Sequence, residues 1–121
     1  CMGWLISRFR YAGRGFRNGA FTDRSIRLQL LLGLAACAAA WWLGCSWQEW
    51  LWILLSIALV VSGEIFNSCI EKTIDYISLK RDPRAALIKD LAAAGVSVLC
   101  LFAALTGCFI FVPKILEVFA S

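Results

Sequence analysis

Three stretches without a single charge, residues 28–48, 50–63 and 91–113, leave this chain little choice of fold. Crossing the hydrocarbon core takes about 20 residues of helix, and only helices or closed barrels satisfy their backbone groups there. The middle stretch reaches that length only by running on through Glu64 to about Ile70, which carries a carboxylate to membrane depth. With 121 residues, 61% of them apolar, the chain has room for one domain. The expectation is an all-α integral membrane protein, residues 1–121, with spans at 26–47, 50–72 and 90–113.

Ahead of the first span, residues 1–21 predict an amphipathic helix lying in the interface. Leu5, Phe9, Ala12, Phe16 and Ala20 fall on one side and Ser7, Arg10, Arg14, Arg17 and Asn18 on the other. Gly13, Gly15 and Gly19 do not make a phosphate loop, since their spacing is wrong and no strand precedes them; close helix packing is the better reading. Thr22 reads as the N-cap of the first span. Asp23 reads equally as a helix-start acid on the macrodipole or as a functional group.

The tryptophans at 41, 42, 47 and 50 mark the far interface, around a tight connection at 46–50. A polar loop at 78–84 follows the second span, and Pro83 suits the opening of a new helix, whose span closes at 112–114. Arg8, Arg10, Arg14, Arg17, Arg24 and Arg27 precede span one; Lys72, Lys80, Arg81, Arg84 and Lys89 surround the second connection. Only Lys114 follows span three. The positive-inside bias predicts a cytoplasmic N-terminus and an external C-terminus. The net charge of +4 thus sits beside anionic headgroups, which argues against nucleic acid as a partner. The N-terminus lacks a cleavable signal pattern, and Cys1 ahead of Met2 reads as a numbering remnant rather than a lipidated end. No histidine and no C-x-x-C pair accompany the cysteines, which read as small packing residues rather than zinc ligands.

The chemistry gathers in residues 63–75. Glu64, Asn67 and Glu71 are three and four residues apart and stack on one helix face, with Asp75 a further turn along. Glu64 lies about 10 Å deeper than Glu71, too deep for a short carboxylate to reach water unaided. Asp75 alone is better read as an interfacial acid snorkelling or pairing with a lysine. Acids and cations converge on one side of the membrane: Asp23, the Glu64 face, the cationic loop and Lys89-Asp90. Hard Mg²⁺ takes one or two carboxylates plus phosphate oxygens, so the pattern suggests metal-nucleotide chemistry. The soluble kinase and P-loop signatures are missing.

The run E-I-F-N-S-C-I-E-K-T-I-D, followed by A-L-I-K-D-L-A-A-A-G, closely resembles the signature of the small bacterial membrane diacylglycerol kinases. The resemblance covers nearly the whole chain and implies a homotrimer in the bacterial cytoplasmic membrane. Its active sites, between subunits at the cytoplasmic face, would use Mg²⁺ and ATP to phosphorylate a lipid hydroxyl. It implies Glu64 as general base, Asn67 as an active-site amide, and Glu71 and Asp23 as metal ligands, with Asp23 one methylene shorter than the family's usual Glu. Tyr11, Lys80, Arg81, Asp82, Lys89 and Asp90 fall at nucleotide positions, and Arg14, Arg17 and Arg27 at substrate-binding ones. Diacylglycerol, giving phosphatidic acid, is the first substrate implied and undecaprenol the alternative, since residues 102–114 look like the tail of members that prefer the latter. A small proton-coupled transporter would leave the cytoplasmic cations without a task, and a non-enzymatic membrane subunit would not explain the deep Glu64.

Overall fold

The computed structural model describes residues 2–77 and 82–120, so Lys80 and Arg81 of the predicted nucleotide loop lie outside the described residues. The described residues form four helices: α1, Met2–Thr22; α2, Arg24–Leu43; α3, Trp47–Ile77; and α4, Pro83–Ala120. The last three are each long and apolar enough to span a bilayer. The protein is a multi-pass membrane protein.

The breaks between helices follow from local chemistry, and two differ from the sequence expectation. Thr22 is still helical and its hydroxyl donates back to the Asn18 carbonyl at 2.6 Å; Asp23 is the N-cap. Asp23 takes an extended backbone (φ −111°, ψ 116°), and its Oδ1 accepts from the Ser25 amide at 3.0 Å. A short carboxylate suits that position better than a hydroxyl that can satisfy itself on its own preceding turn. At the other end of α2, Gly44 closes the helix in the left-handed region (φ 69°), and the Cys45 amide reaches the Ala40 carbonyl at 3.0 Å. The turn is therefore earlier than 46–50, and Trp47 and Trp50 already belong to α3. Ser46 and Glu49 explain why: Glu49 Oε1 accepts from the Ser46 amide at 2.9 Å and Ser46 Oγ from the Glu49 amide at 3.3 Å, a reciprocal capping box.

Pro83 opens α4 as expected, and Asp82 caps it by accepting from the Arg84 amide at 2.9 Å. Pro113 does not end α4, which continues to Ala120. Proline removes one backbone bond, a loss that membrane helices absorb locally. Just beyond it, Lys114 Nζ meets Glu49 at 3.0 Å and ties α4 to the start of α3.

The middle helix, α3, is the one that α2 and α4 pack around, while α1 packs on α2. Its buried residues Ile53, Ser56, Val60, Val61, Glu64 and Ser68 recur at helical spacing. Close approach of α2 is set at Gly33, where a Cβ would lie 3.0 Å from Ile57, and of α4 at Gly63, where one would lie 2.5 Å from Leu99. Of the N-terminal glycines only Gly19 fits the packing expectation, facing Ile26 at 3.1 Å; Gly13 and Gly15 have nothing within 4 Å. Helix α1 buries no residue. Large exposed apolar side chains such as Leu31, Leu34, Leu101 and Phe109 suit a surface that faces acyl chains.

Candidate active site

The site grows from the inner third of α3 and from the kink between α1 and α2. Glu64 is only 8% exposed, a carboxylate embedded among helices. Gln29 of α2 hydrogen-bonds it, and Asp23 and Glu71 both lie within electrostatic range of it. One turn inward, the Asn67 amide donates to Glu71 Oε1 at 3.2 Å, as expected for residues four apart on one helix face. The other end of that amide, Asn67 Oδ1, is buried without a hydrogen-bond partner among the described residues. Such an orphaned acceptor beside carboxylates fits a ligand that brings positive charge or a proton.

Ser68, 6% exposed, supplies the link between the two elements. Its hydroxyl donates to Asp23 Oδ2 across the helix interface. That bond, foremost, and the amide bond from Ser25 hold the Asp23 carboxyl below the usual carboxylate range, against the opposing effect of burial, with Lys72 helping. Asp23 is therefore ionised at neutral pH and fixed over the Glu64 face, while each of its oxygens retains lone-pair capacity.

An all-oxygen donor set of Asp23, Glu71 and the Asn67 carbonyl suits a hard divalent cation. Among the described residues, no three Asp, Glu or Cys side chains gather tightly enough to hold an ion alone.

The remaining predicted residues lie around this group rather than in it. Lys89 of α4 pairs with Asp75 of α3, the lysine partner expected for that interfacial acid, and Asp90 beside it is exposed. Asp82 is engaged by Arg84 at 3.1 Å, which keeps its carboxyl low. Tyr11 is 65% exposed, with the Arg14 guanidinium 5.9 Å from its ring, and Arg17 and Arg27 are exposed. Two residues escaped the sequence reading. Ser68 is an unremarked hydroxyl inside the signature run, and Gln29 is an amide at the inner end of an otherwise apolar stretch, the one signal that marked it.

A family-wide sequence profile described as prokaryotic diacylglycerol kinase matches residues 10–111. The chain belongs to that family. It is 35% identical over 111 residues to the undecaprenol kinase of Bacillus subtilis, covering 92% of this chain and 90% of that one. It is 26% identical over 106 residues to the diacylglycerol kinase of Escherichia coli, covering 88% and 87%. To the diacylglycerol kinase of Helicobacter pylori it is 29% identical over 90 residues, covering 74% and 70%. Membership in the prokaryotic diacylglycerol kinase family makes the protein a lipid kinase, and the predicted all-α membrane fold belongs with it.

Proposed function

We propose that the protein transfers the γ-phosphoryl group of Mg-ATP to the primary hydroxyl of a membrane lipid at the cytoplasmic face, with undecaprenol as the preferred acceptor. The observation that carries the chemistry is the buried Glu64 with Asp23 and Glu71 in electrostatic range. The substrate order reverses that of the sequence reading, which put diacylglycerol first. The reason is the higher identity to the Bacillus subtilis undecaprenol kinase.

In this reading a lipid hydroxyl enters from the bilayer and presents its proton to Glu64, which the surrounding helices shield from bulk water. The deprotonating oxygen attacks the γ-phosphorus, the bond to the β-phosphate oxygen breaks, and ADP leaves. Gln29 orients the Glu64 carboxylate from α2, and Asn67 orients Glu71. Ser68 holds Asp23 against α3. Bound Mg²⁺ would supply charge neutralisation across the phosphates, held by Asp23 and Glu71. Lys89 and Asp90, together with Lys80, Arg81 and Asp82, would bind the nucleotide, with Tyr11 reaching it from α1. Arg14, Arg17 and Arg27 would face the acceptor's head. A homotrimer, with sites shared between subunits, would bring α1 of one copy to the Glu64 face of another.

The deciding experiment is phosphorylation by purified protein in mixed micelles with γ-labelled ATP, with undecaprenol and diacylglycerol compared. Labelled polyprenyl phosphate at the higher kcat/KM is the expected result. Absence of label in both lipids would sink the kinase reading, and a preference for diacylglycerol would restore the original order.

Topology is tested separately. In a cysteine-free background, Ala120→Cys should react with an impermeant thiol reagent in intact cells while Ser7→Cys stays unlabelled. The opposite pattern would put the site on the side without ATP.

A further inference from the structure

A cavity of about 350 Å³ lies between α2, α3 and α4 within the apolar part of the bundle. Its α3 wall is the buried row Val60, Ser56 and Ile53, which continues the Glu64 face outward. Glu64 to Ile53 is about 16 Å of helix at roughly 1.5 Å per residue. Two lining residues connect the cavity to the site: Gln29, which hydrogen-bonds Glu64, and Cys100, whose sulfur accepts from Gln29 Nε2 at 3.9 Å. Small residues on both flanking helices, Gly33 of α2 and Ala103 and Gly107 of α4, give it width. Leu32 and Ala104 stand in its lining with exposed surfaces, so the space opens sideways towards the bilayer. Its lining includes the hydroxyl of Ser56, 6% exposed and without a hydrogen-bond partner among the described residues.

We infer that this cavity is the slot for the hydrocarbon tail of the acceptor lipid, and that it selects a single methyl-branched, unsaturated prenyl chain over the paired chains of a diacyl lipid. The inference rests on the lipid-kinase reading, because a hydroxyl placed at Glu64 sends its tail along the α3 face into this space. The volume sits at the low end for ligand pockets, which run from about 300 to 1,000 Å³, and suits one chain. A diacylglycerol carries two chains on adjacent carbons, so one must remain outside. A prenol brings one, and its methyl branches occupy the width left by Gly33, Ala103 and Gly107. Its alkenes also offer Ser56 a π face as a weak acceptor, which a saturated chain does not.

The test fills the slot from α4. A Cβ at Gly107 would have Phe111 at 3.9 Å, ordinary contact, so the backbone admits a side chain there. Gly107→Leu, and independently Ala103→Leu, should raise the KM for undecaprenol at least about tenfold, as loss of apolar pocket contacts does. The KM for Mg-ATP and the assembly size in detergent should be unchanged, and turnover of diacylglycerol should suffer less. Ser56→Ala should narrow the preference for a prenol over its fully hydrogenated counterpart. An unchanged undecaprenol KM in both leucine variants overturns the slot, and the kinase reading stands so long as the wild type phosphorylates a lipid. Equal losses on both lipids overturn the selectivity; if the assembly size changes with them, the cavity houses side chains of a second copy instead. A wild type inactive on every lipid removes the kinase reading, a different failure.

Discussion

Replacing Glu64 by glutamine should lower kcat for lipid phosphorylation by about 10²–10⁴-fold, the usual contribution of a positioned base, while the KM for Mg-ATP stays within about twofold. The size follows from what the substitution leaves intact. Glutamine has nearly the same shape, keeps an oxygen for the Gln29 hydrogen bond and is neutral, so helix packing around this 8% exposed position is preserved. What disappears is the capacity to take a proton. Asp23 and Glu71, the residues proposed to hold the metal, are unchanged, as are the cations proposed for the nucleotide, so ground-state nucleotide binding should survive. Single-turnover measurement at saturating lipid would isolate the chemical step from product release. If Glu64→Gln instead keeps near-normal kcat and weakens ATP binding, Glu64 belongs with the metal-binding carboxylates and the base lies elsewhere.

That Glu64 is withdrawn from water was legible because an acid inside an apolar run has a cost that hydropathy exposes. The stacking of Asn67 on Glu71 was legible because helical periodicity is a local rule. The cap at Asp23 was missed by one residue, since Thr22 and Asp23 are both good N-caps. What separates them is which hydroxyl or carboxylate finds a partner outside its own turn, and that partner, Ser68, is 45 positions away. The same limit hid the Gln29 contact to Glu64 and the cavity below it, which exist only once α2, α3 and α4 are packed together. The early end of α2 was in principle readable: Gly44-Cys45 and then S-W-Q-E is a helix stop and then a capping box, a stronger signal than the tryptophans that drew the boundary later. The close of the third span at 112–114 was read from where the charge returns, and the continuation of α4 past Pro113 to Ala120 is a fact of the helix that this boundary did not address.

Glu71→Gln should raise the Mg²⁺ concentration for half-maximal activity by at least roughly 10–100-fold, the loss that removing even an outer-shell partner of a metal ligand produces. An amide oxygen is a weak substitute for an anionic ligand to a hard cation. The substitution should leave the fold alone, because Glu71 is exposed and its side chain receives the 3.2 Å bond from Asn67, which an amide oxygen can still accept. A readout independent of turnover is Mn²⁺ binding followed by electron paramagnetic resonance, with ATP present. The variant should bind Mn²⁺ more weakly, and Glu64→Gln should not. Asp23→Glu is the companion measurement and discriminates what Asp23 does. The longer side chain supplies the Glu that the family resemblance implies at this position but loses the short reach that caps α2 and receives Ser68. If metal contact dominates, Asp23→Glu keeps Mn²⁺ affinity and activity. If the site has adjusted to the Ser68-held Asp, both fall, and Ser68→Ala lowers Mn²⁺ affinity in the same direction. Unchanged Mg²⁺ and Mn²⁺ dependence in Glu71→Gln would remove Glu71 from the metal site, leaving Asp23 and the orphaned Asn67 carbonyl as the donors to examine.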